Sequence, residues 1–154
     1  MIKYLTIEQV LKLHDAVVEK FGGLAGVRDP NLLLSCIETP KMTMFGEDLY
    51  PSVHGKTASY LFNIVCNHPF NDGNKRTGAG SAYLFLRINK VSIPFDPSPN
   101  DRTYENFVVK IANGKITKEN IAYFLEHFLK TLLKNCKRKA FSSIFLAFHT
   151  RKIE

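Results

Sequence analysis

The chain has 154 residues and a mass of 17.5 kDa, with 45% hydrophobic and 23% charged side chains. That length suits one domain with its own core, and that composition argues against disorder. No apolar run approaches the roughly 18–20 residues that cross a bilayer, and the start Met1-Ile2-Lys3-Tyr4-Leu5-Thr6 does not read as a secretory signal. The net charge of +7 is unevenly placed: from Lys134 onward six basic residues face one acid, while the other 133 residues carry 15 basic and 13 acidic side chains. A nucleic-acid-binding domain spreads positive charge over a face or groove, so nucleic acid is not an expected partner. Cys36, Cys66 and Cys136 are odd in number and form no CxxC pair, which predicts reduced thiols and a cytoplasmic location.

Thr6 followed by Gln9 is a capping box, and the spacing predicts a helix from Thr6 to Phe21. Its apolar stripe is Ile7, Val10, Leu11, Val17, Val18 and Phe21, with His14 on the same face. Gly22-Gly23 ends it. Asp29-Pro30 opens a short helix through Leu32, Leu33, Cys36 and Ile37, which Thr39-Pro40 stops; Arg28 and Asp29 could form a local pair. Lys41 to Pro51 lacks a helical period and reads as a loop or short hairpin. Ser52 caps a helix with Ala58, Leu61, Phe62 and Val65 on its apolar face, and Pro69 limits it. Lys75 to Lys90 is helical and apolar almost all round, the mark of a central buried helix. Pro94, Pro97 and Pro99 make a loop. Tyr104, Phe107, Val108 and Ile111 form one helical face, and Gly114 ends that element. Thr117 caps a last helix with Ile121, Phe124, Leu125, Phe128 and Leu132 inward. The expectation is a compact all-α bundle over residues 1–134, with 135–154 as a basic, apolar tail.

The chemistry concentrates in His68-Pro69-Phe70-Asn71-Asp72-Gly73-Asn74-Lys75-Arg76, between two predicted helices. A helix start offers unpaired N–H groups and partial positive charge, which suit phosphate. Gly73 lets the backbone bend close to a ligand, and successive N–H groups there can form an anion nest. Lys75 and Arg76 place cations where the helix dipole disfavours them, so a polyanion is expected to sit there. Asp72 is a candidate Mg²⁺ ligand, and His68 can take a proton from a hydroxyl. Phe70 should point inward and pin the loop. On residue types alone, a phosphate-transfer site and an ordinary helix-loop-helix corner both remain open.

This segment resembles the signature of the Fic/Doc family, His-x-Phe-x-(Asp/Glu)-(Gly/Ala)-Asn-(Gly/Lys)-Arg, at every fixed position. Leu13-His14-Asp15 and Gly22-Gly23-Leu24-x-Gly26-Val27-Arg28-Asp29-Pro30 resemble its death-on-curing branch, and the likeness runs over about residues 3–130. The resemblance implies a small helical fold with ATP and Mg²⁺ as cofactors. It implies His68 as general base, Asp72 as metal ligand, and Phe70, Gly73, Asn74, Lys75 and Arg76 as the nucleotide-binding set, the phosphates meeting the Gly73 and Asn74 amides. Lys41–Tyr50 corresponds to the family's flap, where a target segment pairs by strand addition. Lys75 stands where most Fic enzymes have glycine, and Ala79 where they have a second arginine. Both departures resemble the death-on-curing branch, which transfers the γ-phosphate. Gly73 and Gly80 depart from that branch's usual pattern. The implied protein is a toxin that phosphorylates a target, elongation factor Tu by resemblance, and inhibits translation. No Ser/Thr-x-x-x-Glu-(Gly/Asn) inhibitory motif is found, since Asp48 follows Glu47, so a separate antitoxin is the expected partner. AMP transfer and a catalytically silent binding module are the alternatives.

Overall fold

The computed structural model describes residues 1–91 and 103–135, the side chains of 103 and 128–135 apart. Six α-helices are present among these residues: α1 (Ile7–Phe21), α2 (Pro30–Glu38), α3 (Val53–Asn67), α4 (Asn74–Ile88), α5 (Thr103–Ala112) and α6 (Lys118–Asn135). A single 3-10 turn, Thr39–Lys41, follows α2. The loop or hairpin expected over 41–51 is a hairpin, with β1 (Thr43–Met44) antiparallel to β2 (Glu47–Asp48). The proline loop at 94–99, Cys136, His149 and the tail beyond Asn135 lie outside the described residues, as do the expected inward positions of Phe128 and Leu132.

Local chemistry sets the helix ends. The Thr6 N–H donates to Gln9 Oε1 at 3.0 Å, and the Gln9 N–H donates to Thr6 Oγ1 at 3.3 Å. Asp29 Oδ1 accepts from the N–H groups of Asn31 and Leu32, with Pro30 at the first helical position. Ser52 Oγ accepts from the Gly55 N–H at 2.9 Å. Arg28 does not pair with Asp29. Its Nη2 donates 2.8 Å to the Asn67 carbonyl, one of the acceptors left open at the end of α3.

α3 is the axis of the bundle. Nine of its residues are buried, and two core clusters meet across it. On one side Tyr60 and Ile64 pack with Leu5, Val10, Leu33, Cys36, Ile37, Phe70 and Phe85. On the other, Ala58, Leu61 and Val65 pack with Ala82, Phe107, Val108, Ile111, Ile121 and Leu125. α4 is packed closely on α3, but its buried face is not purely apolar: Asn74, Thr77, Gly78 and Ser81 are buried with Ala82, Phe85 and Leu86. A methyl at Gly78 would stand 2.7 Å from Val65 Cγ2, so the small residues bring the two helices together. The central position expected of the 75–90 helix therefore belongs chiefly to α3. In α1, Leu13 is buried in place of Phe21, which is exposed.

Candidate functional site

The nine-residue motif spans the end of α3, a short loop and the start of α4. His68 closes α3 in the left-handed region (φ 49°, ψ 58°), because Pro69 bars a further helical residue. Gly73 caps α4 in the same region at φ 74°, a conformation that costs a side chain about 1 kcal/mol or more. Two left-handed residues five apart turn the chain sharply between two helices.

The loop is held from inside. Asn74 is buried, and its side chain bridges the Phe70 backbone: Phe70 N–H donates to Asn74 Oδ1 and Asn74 Nδ2 donates to the Phe70 carbonyl, both at 2.9 Å. Phe70 is 1% exposed and stacks on His14, with ring centroids 3.9 Å apart. As expected, the Phe70 ring faces the core and supports the loop from behind. His14 Nδ1 lies 3.2 Å from Thr77 Oγ1, so one buried imidazole touches both the loop and α4. Burial holds His14 below the ordinary histidine range, with Asp15 and Asp72 pulling partly the other way. Its Nε2 is buried without a partner among the described residues, which suits the neutral ring.

The segment between α1 and α2 runs antiparallel along the loop. The N–H groups of Arg28 and Asp29 donate to the Pro69 carbonyl at 2.8 and 3.1 Å, and Val27 forms an antiparallel bridge with Phe70. Asn71 donates from its main chain to the Gly26 carbonyl (3.1 Å) and from Nδ2 to the Ala25 carbonyl (3.0 Å). The Arg76 guanidinium lies over the Phe21 ring, 4.9 Å from its centroid. Phe21 is thus exposed for a reason: it carries a motif cation.

His68, Asp72, Lys75 and Arg76 remain exposed. Asp72 Oδ1 accepts from the Gly73 N–H at 2.6 Å, so this amide already has an anion, and the α4 amides left to a ligand begin at Asn74. Among the described residues no side chain caps α4. A helix start with no capping side chain, beside two cations, fits a phosphate group. No set of three His, Cys, Asp or Glu side chains that could hold a metal occurs among the described residues. One carboxylate, Asp72, fits Mg²⁺, which commonly takes one or two carboxylates and completes its shell with water and phosphate oxygens.

The β1–β2 hairpin is tied down by a residue the sequence pattern did not single out. Lys56 of α3 is fully buried, and its Nζ donates to Asp48 Oδ2 at 2.8 Å and to the Pro40 carbonyl at 3.3 Å. Burial pulls its pKa down, but the hydrogen bonds to Asp48 and Tyr4 outweigh it and leave the ammonium favoured. The hairpin tip presents Met44 and Phe45 to solvent.

Comparison with known proteins agrees with this geometry. Residues 4–86 match the family model described as Fic/DOC family. The chain is 40% identical over 96 residues to "Toxin Doc" of Mycolicibacterium smegmatis, covering 62% of this chain and 72% of that protein. It is 33% identical over 121 residues to "Protein kinase doc" of Escherichia phage P1, covering 79% of this chain and 91% of that protein. No helix among the described residues is long and apolar enough to cross a membrane. A helical bundle with its motif loop between α3 and α4, a family match over half the chain and two such relatives lead to one conclusion: the chain belongs to the Fic/Doc family, in its death-on-curing toxin branch.

Proposed function

We propose that this chain is the toxin of a toxin–antitoxin pair and that it transfers the γ-phosphate of ATP to a Ser or Thr hydroxyl of a target protein in the cytoplasm. Elongation factor Tu is the target to which the family resemblance points, with arrested translation as the consequence. The unit that carries the activity is residues 1–134, with 135–154 as an appended tail. The observation that carries the reading is the exposed array of His68, Asp72, Lys75 and Arg76 around a helix start without a capping side chain, on a loop whose remaining side chains are spent on holding its shape. The names of the two relatives support the toxin and the kinase parts.

In this reading His68 accepts the proton of the target hydroxyl as its oxygen bonds to the γ-phosphorus. The bond from that phosphorus to the bridging oxygen breaks, and ADP leaves. The Asn74 and Lys75 amides, with the Lys75 and Arg76 side chains, hold phosphate oxygens and stabilise the charge on the moving group. Asp72 would hold Mg²⁺, which neutralises phosphate charge. Lys75 fills space that a glycine would leave for a closely lying phosphate, and Ala79 provides no second arginine clamp; both favour γ-phosphate over AMP transfer. The antitoxin is a separate chain whose inserted segment restrains the toxin.

The test uses purified protein, a lysate containing elongation factor Tu, Mg²⁺, and ATP labelled at either the α- or the γ-phosphate. Transfer from the γ position alone, lost in His68→Ala, is the expected outcome. Transfer from the α position would show AMP transfer and overturn the argument from Lys75. No transfer from either would favour the silent binding module. Lys75→Gly probes the same point, since transfer moving toward AMP would assign the nucleotide's direction to the lysine.

A further inference from the structure

The segment that pairs with the motif loop also shapes the space around Asp72. Gly23 lies at φ +125°, and a methyl built on it would stand 2.6 Å from Asp72 Oδ2 and 3.2 Å from the carboxylate carbon. The other carboxylate oxygen is fixed by the Gly73 N–H. One oxygen is thus set by the motif's own backbone, and the other lies in the space left by the missing side chain of Gly23. Gly22, next in sequence, is also left-handed at φ +73° but has open space where its methyl would be. The two glycines of one pair therefore differ: Gly22 is needed for the conformation that ends α1, Gly23 for conformation and clearance together.

We propose that Gly23 is a positioning residue for the Asp72 carboxylate: its absent side chain is the space in which that carboxylate is held ready for a divalent cation. The proposal rests on Asp72 being the metal ligand. A side chain at position 23 cannot coexist with Oδ2 where it now lies, so the Asp72 carboxylate must turn away from its present orientation. Disturbing a group that orients a metal ligand typically lowers metal affinity by about 10–100-fold. Gly23 is remote in sequence from the motif, and only the antiparallel run of residues 25–29 along 69–71 brings it there.

The experiment measures Mn²⁺ binding by electron paramagnetic resonance in the presence of ATP, on the full chain, for wild type, Gly23→Ala, Gly22→Ala and Asp72→Asn. Thermal unfolding without metal or nucleotide accompanies each. Both alanine variants should lose stability, because both force a methyl onto positive-φ backbone, and Gly23→Ala should lose more because its methyl also meets Asp72. Only Gly23→Ala should lose Mn²⁺ affinity, by about tenfold or more, with its transfer activity partly recovered at high Mg²⁺. Equal Mn²⁺ affinity in Gly23→Ala and wild type, while Asp72→Asn is weakened, would overturn the role of Gly23. Unchanged affinity in Asp72→Asn would instead overturn Asp72 as ligand. Should Gly23→Ala fail to fold, Asp72→Glu is measured in its place: its longer side chain carries the carboxylate out of the space beside Gly23, so Mn²⁺ affinity should fall, and affinity equal to wild type would overturn the proposal.

Discussion

Asn74 is the sharpest place to test whether the motif builds its own loop. Its amide satisfies both the N–H and the carbonyl of Phe70, and all three groups are buried. Asn74→Ala leaves both backbone groups unpartnered, and each such orphan costs about 1–3 kcal/mol. Asn71 and Asp72 are exposed next to them, so water reaches part of the site and the lower half of that range applies. Alanine's better helix propensity returns about 0.5 kcal/mol. The net expectation is about 1.5–3.5 kcal/mol, or a fall in Tm of about 3–14 °C for a chain of this size. Urea unfolding followed by circular dichroism should show the loss as a lower midpoint with an unchanged slope. Asn74→Asp separates the two bonds: it keeps an acceptor for the Phe70 N–H but sets a carboxylate against the Phe70 carbonyl. Partial relief comes from a negative charge in the first turn of α4, worth about 0.3–1 kcal/mol. A value for Asn74→Ala within about 0.5 kcal/mol of wild type, the ordinary range for a surface position, would refute the reasoning. The loop would then be held by the pairing with residues 25–29 alone.

Two further outcomes follow from the buried ionisable groups. His14 is held below its ordinary value of 6.5, mainly by burial, so its contribution to stability is full above that pH and is lost as pH falls through the lower folded value. Between pH 7.5 and 5, urea midpoints for His14→Phe, which keeps a ring against Phe70 and cannot titrate, should fall less than those of wild type; an equal fall would refute the assignment. Asp48→Ala strands the buried Lys56 ammonium, a loss of about 3–5 kcal/mol for a fully buried pair that the 44% exposure of Asp48 reduces to about 1–3 kcal/mol. Lys56→Met leaves Asp48 solvated and should cost less, so unfolding midpoints in the opposite order would show that the pair does not anchor the hairpin.

Helix starts were legible because their signals are local. Thr6 with Gln9, Asp29 with Pro30, and Ser52 each act within four residues, and each forms its bonds. What escaped is non-local. Phe21 completes an apolar stripe in sequence, yet it lies at the end of α1 beside Arg76 and stays exposed. Lysine is the side chain least expected inside, and Lys56 is buried only because a hairpin eight residues back supplies its carboxylate. Gly23 reads as a helix stop because nothing near it in sequence shows that Asp72 will press against it. Of the candidate site, the exposed residues were legible as a set. His14 was visible on the inward stripe, but its stacking on Phe70 was not.

The division of labour inside the nine residues explains why so short a pattern is informative. Pro69 gives its carbonyl to two N–H groups, Phe70 fills the core, and Asn71 and Asn74 use their amides to close the loop. His68 and Gly73 supply the two left-handed turns. Asp72, Lys75 and Arg76 then stand exposed on a frame built almost wholly by their neighbours. A generic helix corner needs a proline, a glycine and some polar residues in loose order. This corner needs Phe70 and Asn74 at their own places, because shifting either by a single position would put a core ring into water or leave buried backbone groups unpartnered. Part of this order serves stability, as the buried Phe70 ring and the paired Asn74 amide show. The rest fixes the exposed side chains of His68, Asp72, Lys75 and Arg76 in mutual geometry, a positional precision that a solvated loop does not give.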